Sequence, residues 1–255
     1  MQTGDQVGIG GFIITGTGSK QILLRAIGPS LGQFGVPNPL ADTVMELHGP
    51  AGFTTVTNDN WRDTQEAEIT ATGIAPSNDL ESAILATVEP GNYTAIVRGK
   101  NDTIGVGLVE VYDLGPATSQ LGNISTRAFV GTGDDVVIGG FILGGGDNNA
   151  NIFIRGIGPS LSQFGVPNAL ADPTLELRDS NGTLVAENDN CVPPPFVSHP
   201  NEHGPIPVPT CPPYCGGSSL EPCIYISLSP GTFTAILAGK NGGTGVGLVE
   251  IYNLN

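Results

Sequence analysis

Two short segments match catalytic signatures, and both lack the surroundings that the chemistry requires. The segment Gly28–Gly32 reads Gly-Pro-Ser-Leu-Gly, the spacing of a hydrolase nucleophile elbow. An elbow needs a parallel α/β sheet, a helix after the serine, and a histidine and an acid downstream. His48 is the only histidine in this half of the chain. His199 and His203 have the spacing of an inverted zinc-protease motif, but Pro200 opposes the helix that would place them on one face. We therefore predict a chain without enzymatic activity.

Four cysteines lie in one stretch of the second half, and none lies elsewhere: Cys191, Cys211, Cys215 and Cys223. The segment between them is rich in proline and poor in apolar residues, so it needs covalent bridges to become ordered. An even cysteine count fits disulfides in an exported protein. We favour the pairs Cys191–Cys223 and Cys211–Cys215, with a tetrahedral zinc site shared with the nearby histidines as the alternative.

Two loops of the first half are rich in oxygen donors. They offer Asp59 and Asn60 in one loop, and Asp79 and Glu81 in the other. Calcium takes six to eight oxygen ligands from flexible loops, so convergence of these side chains would form a calcium site. The alternative is that they satisfy the backbone of their own turns. Ser219 replaces Asp79 in the second half, where we expect a weaker site or none.

These candidate residues belong to a tandem repeat. The sequence Ile-Gly-Pro-Ser-Leu begins at Ile27 and again at Ile157, and Gly105–Glu110 recurs as Gly245–Glu250. The offset between the copies is 130 in the middle and 140 near the end, so most of the extra length is an insertion at 191–223. We predict one domain at 1–114, a linker at 115–120 and a second domain at 121–255.

The composition predicts an all-β fold. With 38 glycines and 21 prolines, the chain has many helix-breaking turns between short segments of β-branched residues. We expect two tandem antiparallel β-sandwiches of the jelly-roll type. In the first copy only Asp63–Thr72 has the pattern of a helical turn. The strands predicted there are Val7–Ile14, Gln21–Ile27, Val44–His48, Thr54–Thr57, Ser82–Val88, Asn92–Arg98 and Val106–Tyr112.

Several phrases of the second copy resemble a known module. Leu175–Gly182, Glu187–Asn190, a strand that starts with Pro-Gly and an aromatic residue, and a final glycine-rich strand are similar to the bacterial pre-peptidase C-terminal type of β-sandwich. The Ile-Gly-Pro-Ser-Leu block resembles repeats of large secreted proteins. This resemblance implies a jelly-roll-like accessory module of exported proteins, sometimes bound to calcium and without catalytic activity.

Charge and hydropathy limit the partners. The net charge of −15 disfavours nucleic acid and anionic membrane surfaces, and no apolar run is long enough to insert in a membrane. We predict an extracellular or cell-surface structural protein, part of a filament, sheath or adhesive stalk. The alternative is a calcium- or carbohydrate-binding module of an exported enzyme, with Trp61 as the candidate glycan platform.

A strand present in one copy predicts self-assembly. Leu121–Val130 introduces the second copy as a plausible strand, and at an offset of 129 Met1 aligns with Val130. The first copy therefore has no counterpart of that strand in the sequence. An open strand position invites strand addition from another chain. We expect copies to join head-to-tail, with Met1–Gly11 of one near Val246–Asn255 of the next, and so to form a filament. The alternative is that the two copies belong to a covalently longer repeat array.

Overall fold

The computed structural model describes residues 1–115, 118–144, 148–191 and 218–254. Of the residues described, 51% lie in strands of mostly antiparallel sheets and 12% in helical turns, which confirms the predicted all-β class. The strands predicted in the first copy are observed within two residues of their expected bounds. Most of the predicted insertion, residues 192–217, lies outside the described residues.

The chain divides into two compact units, Met1–Ile124 and Ser125–Asn255. The strands of unit 1 are β1 (Gly8–Gly16), β2 (Lys20–Ile27), β3 (Thr43–His48), β4 (Val56–Asn58), β5 (Ser82–Val88), β6 (Gly91–Gly99) and β7 (Leu108–Asp113). A short helix, α1 (Glu66–Ala71), lies inside the segment predicted to be helical. Strand β8 (Ser119–Val130) crosses the boundary and is followed in unit 2 by β9 (Val137–Leu143), β10 (Ala150–Ile157), β11 (Pro173–Asp179), β12 (Leu184–Asn188), β13 (Cys223–Leu228), β14 (Gly231–Gly239) and β15 (Gly245–Asn253). Short 3-10 turns occur at Gly4–Gln6, Pro29–Phe34, Lys100–Asp102, Pro159–Phe164 and Lys240–Gly242.

Each unit is built from two layers of antiparallel strands. In unit 1 the strand orders are β8-β1-β6-β3-β4 and β5-β2-β7. In unit 2 they are β12-β11-β14-β9 and β13-β10-β15-β8. The same hairpins recur in both units, because β1, β6 and β3 correspond to β9, β14 and β11, and β5, β2 and β7 correspond to β13, β10 and β15.

Alternating apolar residues of the two layers form the core of each unit. In unit 1, Phe12 lies opposite Tyr93 in the β1–β6 register, and their rings stack 5.3 Å apart. In unit 2, Phe141 lies opposite Phe233, with ring centroids 5.5 Å apart. The same face of each hairpin is therefore turned inward in both copies, although Phe141 is only partly buried.

A repeated polar triad fixes β7 and β15 to their neighbours. On β2, the Arg25 guanidinium donates from Nε to Glu110 at 2.7 Å and from a terminal nitrogen to the Tyr112 hydroxyl at 2.8 Å. Burial, together with the Glu110 carboxylate, raises the pKa of the Tyr112 phenol. Arg155 makes the equivalent contacts on β10. These side chains therefore tie β7 to β2 and β15 to β10.

Strand β8 contributes to both units. Its start belongs to unit 1: Ser119 bonds to the backbone of Gly18, and Thr15 donates to the Gln120 carbonyl. Its end belongs to unit 2, where Val130 is fully buried. The predicted linker at 115–120 thus overlaps the first residues of a strand, and the boundary between the units lies inside that strand.

Candidate functional site

A buried carboxylate holds the Ile-Gly-Pro-Ser-Leu turn of unit 1. Antiparallel pairing of β2 with β5 brings the residues after β2 beside Glu81, which directly precedes β5. Glu81 is fully buried and accepts hydrogen bonds from the Gly28 amide at 3.2 Å, the Ser30 amide at 3.0 Å and the Ser30 hydroxyl. Its second oxygen accepts from the Asn78 amide at 3.3 Å. We call this arrangement the carboxylate latch.

The same latch recurs in unit 2. Glu221 accepts from the Gly158 amide at 3.0 Å, and from the amide and hydroxyl of Ser160 at 2.8 and 2.6 Å. The sequence contained the signal for this contact, because both copies have the same two motifs. Gly-Pro-Ser begins at Gly28 and Gly158, and Leu-Glu ends at Glu81 and Glu221. Sequence reasoning assigned the two motifs to separate roles, and the structure brings them together.

The latch accounts for the serine of the elbow-like motif. Ser30 lies in a 3-10 turn, is 5% exposed, and directs its hydroxyl to a carboxylate. His48, the only histidine of unit 1, contacts Glu46 and Thr55 instead. His199 and His203 of the second motif lie outside the described residues.

The four predicted calcium ligands have separate partners. The two loops do meet, since the Trp61 amide donates to the Glu81 carbonyl at 2.9 Å. Their carboxylates diverge, however: Glu81 forms the latch, and the exposed Asp79 binds Arg62 at 2.6 Å. Asn60 donates to Asp63. In the described part of the chain, no group of three or more histidine, cysteine, aspartate or glutamate side chains is placed to hold a metal.

A lysine ammonium lies among the acidic oxygens of the first loop. Lys100 Nζ is 2.7 Å from Asp59 Oδ2 and 3.7 Å from Asp42 Oδ2. The contact with Asp59 raises the pKa of Lys100, whereas burial raises that of Asp42 despite the ammonium beside it. Unit 2 repeats this arrangement, with Lys240 Nζ 2.7 Å from Asp189. Of the four predicted calcium ligands, Asp59 thus has a side-chain cation as its partner.

Trp61, the predicted glycan platform, is only 3% exposed. It packs with Leu23, Ile69 and Ala83, and its indole nitrogen donates to the Asn78 carbonyl at 3.2 Å. A stacking platform for a sugar must present an open ring face, and this ring presents none. The aromatic residues that are exposed at equivalent positions are Phe34 and Phe164, at the ends of the two latched turns.

Two of the four cysteines lie in the described residues. Cys191 and Cys223 are both in the disulfide-bonded state and pack beside Phe153. Cys211 and Cys215 lie outside the described residues. The pairing of the four cysteines therefore stays a prediction.

Two of the four predicted assembly residues lie on strands that are paired on both sides. Gly11 is in β1, which lies between β8 and β6, and Val246 is in β15, between β10 and β8. Met1 packs against unit 1, where its amine donates to the Gly105 carbonyl at 2.7 Å. Asn255 lies outside the described residues. Backbone groups available to a further strand must therefore be sought on other strands.

Comparison of the two units identifies two such edges. In unit 2, β15 is paired with β8, whereas its counterpart β7 is paired, among the described residues, only with β2. In unit 1, β1 is paired with β8, whereas its counterpart β9 is paired, within the same described ranges, only with β14. Side-chain exposure differs in the same way, since Ile142 of β9 is 76% exposed whereas its counterpart Ile13 of β1 is partly buried.

No known protein family and no curated protein matches this chain. Among solved structures, the chain is similar to the VP2 subviral particle of infectious bursal disease virus, at 11% identity over 99% of this chain and 70% of that chain, with a TM-score of 0.15. The Gx strain of that virus matches at 10% identity over 100% of this chain and 70% of that chain, also with a TM-score of 0.15. Likenesses this weak carry no argument about fold or function. The resemblance to pre-peptidase C-terminal modules stays a prediction. Within the described ranges no helix is both long and apolar enough to span a membrane.

Proposed function

We propose that this chain is a structural repeat protein of the cell surface or extracellular space, whose copies join head-to-tail by strand addition into a filament, sheath or stalk. The observation that carries the proposal is strand β8. It completes one layer in each unit, and among the described residues no further strand pairs with the counterpart of either completed edge in the other unit.

The two open edges differ from each other, which favours a polymer over a closed dimer. One is β7 in unit 1 and the other is β9 in unit 2. In the described part of the chain, a single type of strand, β8, pairs with the counterparts of both. A contact that joins two different surfaces of identical subunits is heterologous and does not close on itself, except in a ring.

Location outside the cell is supported by the cysteines and by the surface charge. Cys191 and Cys223 are disulfide-bonded, a state that persists in oxidising compartments. The net charge of −15 keeps single copies soluble until specific edges meet. A structural role also agrees with Ser30 and Glu81, since both are engaged in holding a turn.

Sedimentation and electron microscopy test this function. We expect filaments in native material and a sedimentation coefficient that rises with concentration. Ile142→Lys places a charge on the β9 edge and should abolish the rise, whereas Leu80→Lys, at an exposed apolar residue that lies on neither edge, should not. A 26.1 kDa monomer at every concentration, with no polymer in native material, would overturn the proposal.

A further inference from the structure

We infer that the two latched turns are equivalent binding platforms for a neutral polysaccharide, on which the rings of Phe34 and Phe164 stack against sugar rings. The inference adds a ligand to the proposed function and does not depend on assembly of the copies. Four observations support it.

The first observation is the exposure of the two rings. Phe34 is 81% exposed and Phe164 is 82% exposed, the highest values among the large apolar residues that the structure describes. Strand β8 pairs with β1 in unit 1 and with β15 in unit 2, so the ring is exposed whichever edge of its unit is covered. A ring this exposed buries little apolar surface, and it therefore adds little to folding stability.

The second observation is that the exposed turn is identical in the two units. Gln33–Asn38 and Gln163–Asn168 both read Gln-Phe-Gly-Val-Pro-Asn, and every residue except the valine is exposed in both units. Another surface turn has diverged: Gly49–Phe53 reads Gly-Pro-Ala-Gly-Phe, whereas its counterpart Asp179–Thr183 reads Asp-Ser-Asn-Gly-Thr. The fold therefore tolerates change in a surface turn, and the identity of the latched turns needs a reason of its own.

Backbone geometry supplies that reason for only part of the turn. Gly35 and Asn38 have φ values of 79° and 48°, and their counterparts in unit 2 have 76° and 53°. This left-handed region favours glycine and asparagine. Gln33 and Phe34 lie in the 3-10 turn, where many residue types would serve. Their retention is explained if the amide and the ring contact a ligand.

The third observation is that the turn is held in one conformation. The carboxylate latch fixes its start. At its end the Gly35 amide donates to the Gly32 carbonyl at 3.2 Å, and the Val36 amide donates to the Leu31 carbonyl at 3.3 Å. Unit 2 has the same two hydrogen bonds, at 3.1 and 3.3 Å. The platform is therefore formed before a ligand arrives, which lowers the cost of binding.

The fourth observation is that these segments carry no charge. Residues 28–41 and 158–171 contain no aspartate, glutamate, lysine, arginine or histidine, although the chain has a net charge of −15. Electrostatic complementarity therefore favours an uncharged ligand over an anionic polymer or a charged protein surface. The exposed side-chain amides of Gln33 and Asn38 can donate and accept hydrogen bonds. A sugar ring matches both features, because its C–H face suits the electron-rich face of a phenyl ring and its hydroxyls suit amides.

Affinity electrophoresis tests the inference. Native gels would contain glucomannan, xyloglucan, mixed-linkage β-glucan or dextran, each a neutral soluble polysaccharide, at several concentrations. We expect saturable retardation of the full chain in at least one of these gels. The double variant Phe34→Ala with Phe164→Ala should raise the apparent Kd at least tenfold, as expected for the loss of aromatic anchors. Each single variant should bind with an intermediate affinity, because one of two linked sites remains.

The controls separate loss of the ring from other effects. All of these variants keep the net charge, so a change in mobility reports binding. Ile142→Ala removes a side chain that is 76% exposed in unit 2, and it should bind as the unaltered chain does. Ile142 lies before β10, whereas the latched turn follows that strand. The Tm of the double variant should be unchanged, because the rings are exposed.

Absence of retardation in all four gels, or retardation that ignores the double variant, would overturn the inference. Ring-dependent retardation confined to gels of anionic polygalacturonate would also overturn it, because the ligand would then be charged. If the double variant lowered the sedimentation coefficient and no gel retarded the chain, the rings would contact another copy instead of a sugar. Polysaccharide binding by a chain that stays monomeric would support the platforms and refute only the filament.

Discussion

Replacing Glu81 with alanine removes the acceptor of four hydrogen bonds from the interior of unit 1. The Ser30 hydroxyl can rotate to another acceptor, and Asn78 lies near enough to the surface to be hydrated. The amides of Gly28 and Ser30 are buried and would lose their partner. An unsatisfied buried group costs about 1 to 3 kcal/mol, so we expect a loss of about 4 kcal/mol in the free energy of unfolding. For a unit of this size this corresponds to a fall in Tm of roughly 12 °C.

Denaturation followed by circular dichroism measures this loss, with Glu89→Ala, an exposed glutamate of the same unit, as the control. Glu221→Ala should destabilise unit 2 by a similar amount, because its latch makes the same contacts. A double-mutant cycle of Glu81→Ala with Ser30→Ala should show coupling between the two residues. A loss below about 1 kcal/mol for Glu81→Ala would show that water replaces the carboxylate, and it would refute the reasoning.

Three further outcomes are expected. The hydrogen bond from Lys240 lowers the pKa of Asp189, so its stabilising contribution is present above the unfolded pKa and lost as pH falls through the folded value; Lys240→Met should flatten the acid limb of stability against pH. Intact mass spectrometry without reductant should show the four cysteines as two bridges; four alkylated thiols in native protein would contradict the bonded state of Cys191 and Cys223. Calcium at saturating concentration should leave Tm unchanged, because Glu81 and Asp79 are engaged with the turn and with Arg62; a site at a hundred times its Kd would add about 2.7 kcal/mol, so a saturable rise in Tm would support the calcium hypothesis.

The strands could be predicted because their signals are local. Alternation of apolar residues and the glycine and proline turns decide where a strand lies, and repetition in two copies confirms each segment independently. One of the largest boundary errors has a tertiary origin: Val106 was expected to start β7, but it forms an isolated bridge with Pro39 before the regular ladder begins. The alignment of Met1 with Val130 was equally informative, since the two side chains fill the same space.

The site residues were harder to predict because their roles depend on distant partners. In the sequence, Glu81 follows a loop rich in oxygen donors, which is where a calcium ligand is expected. Only the pairing of β2 with β5 reveals that Glu81 faces the turn after β2. Trp61 is similar: a tryptophan in a polar loop suggests exposure, whereas the loop folds over a small cluster and buries it. The edges available for assembly were misplaced onto β1 and β15, because sequence spacing does not show that both sides of these strands are already paired.

The position of the unit boundary inside β8 has a consequence for how such a protein could lengthen. The sequence repeat and the folded unit have different boundaries. Unit 1 is completed by residues that belong to the start of the second sequence repeat. A gene duplication that copies one whole sequence repeat therefore also copies a strand for the preceding unit. Each added repeat would cover one open edge and expose an identical one, so the array could grow by duplication without any new surface having to evolve.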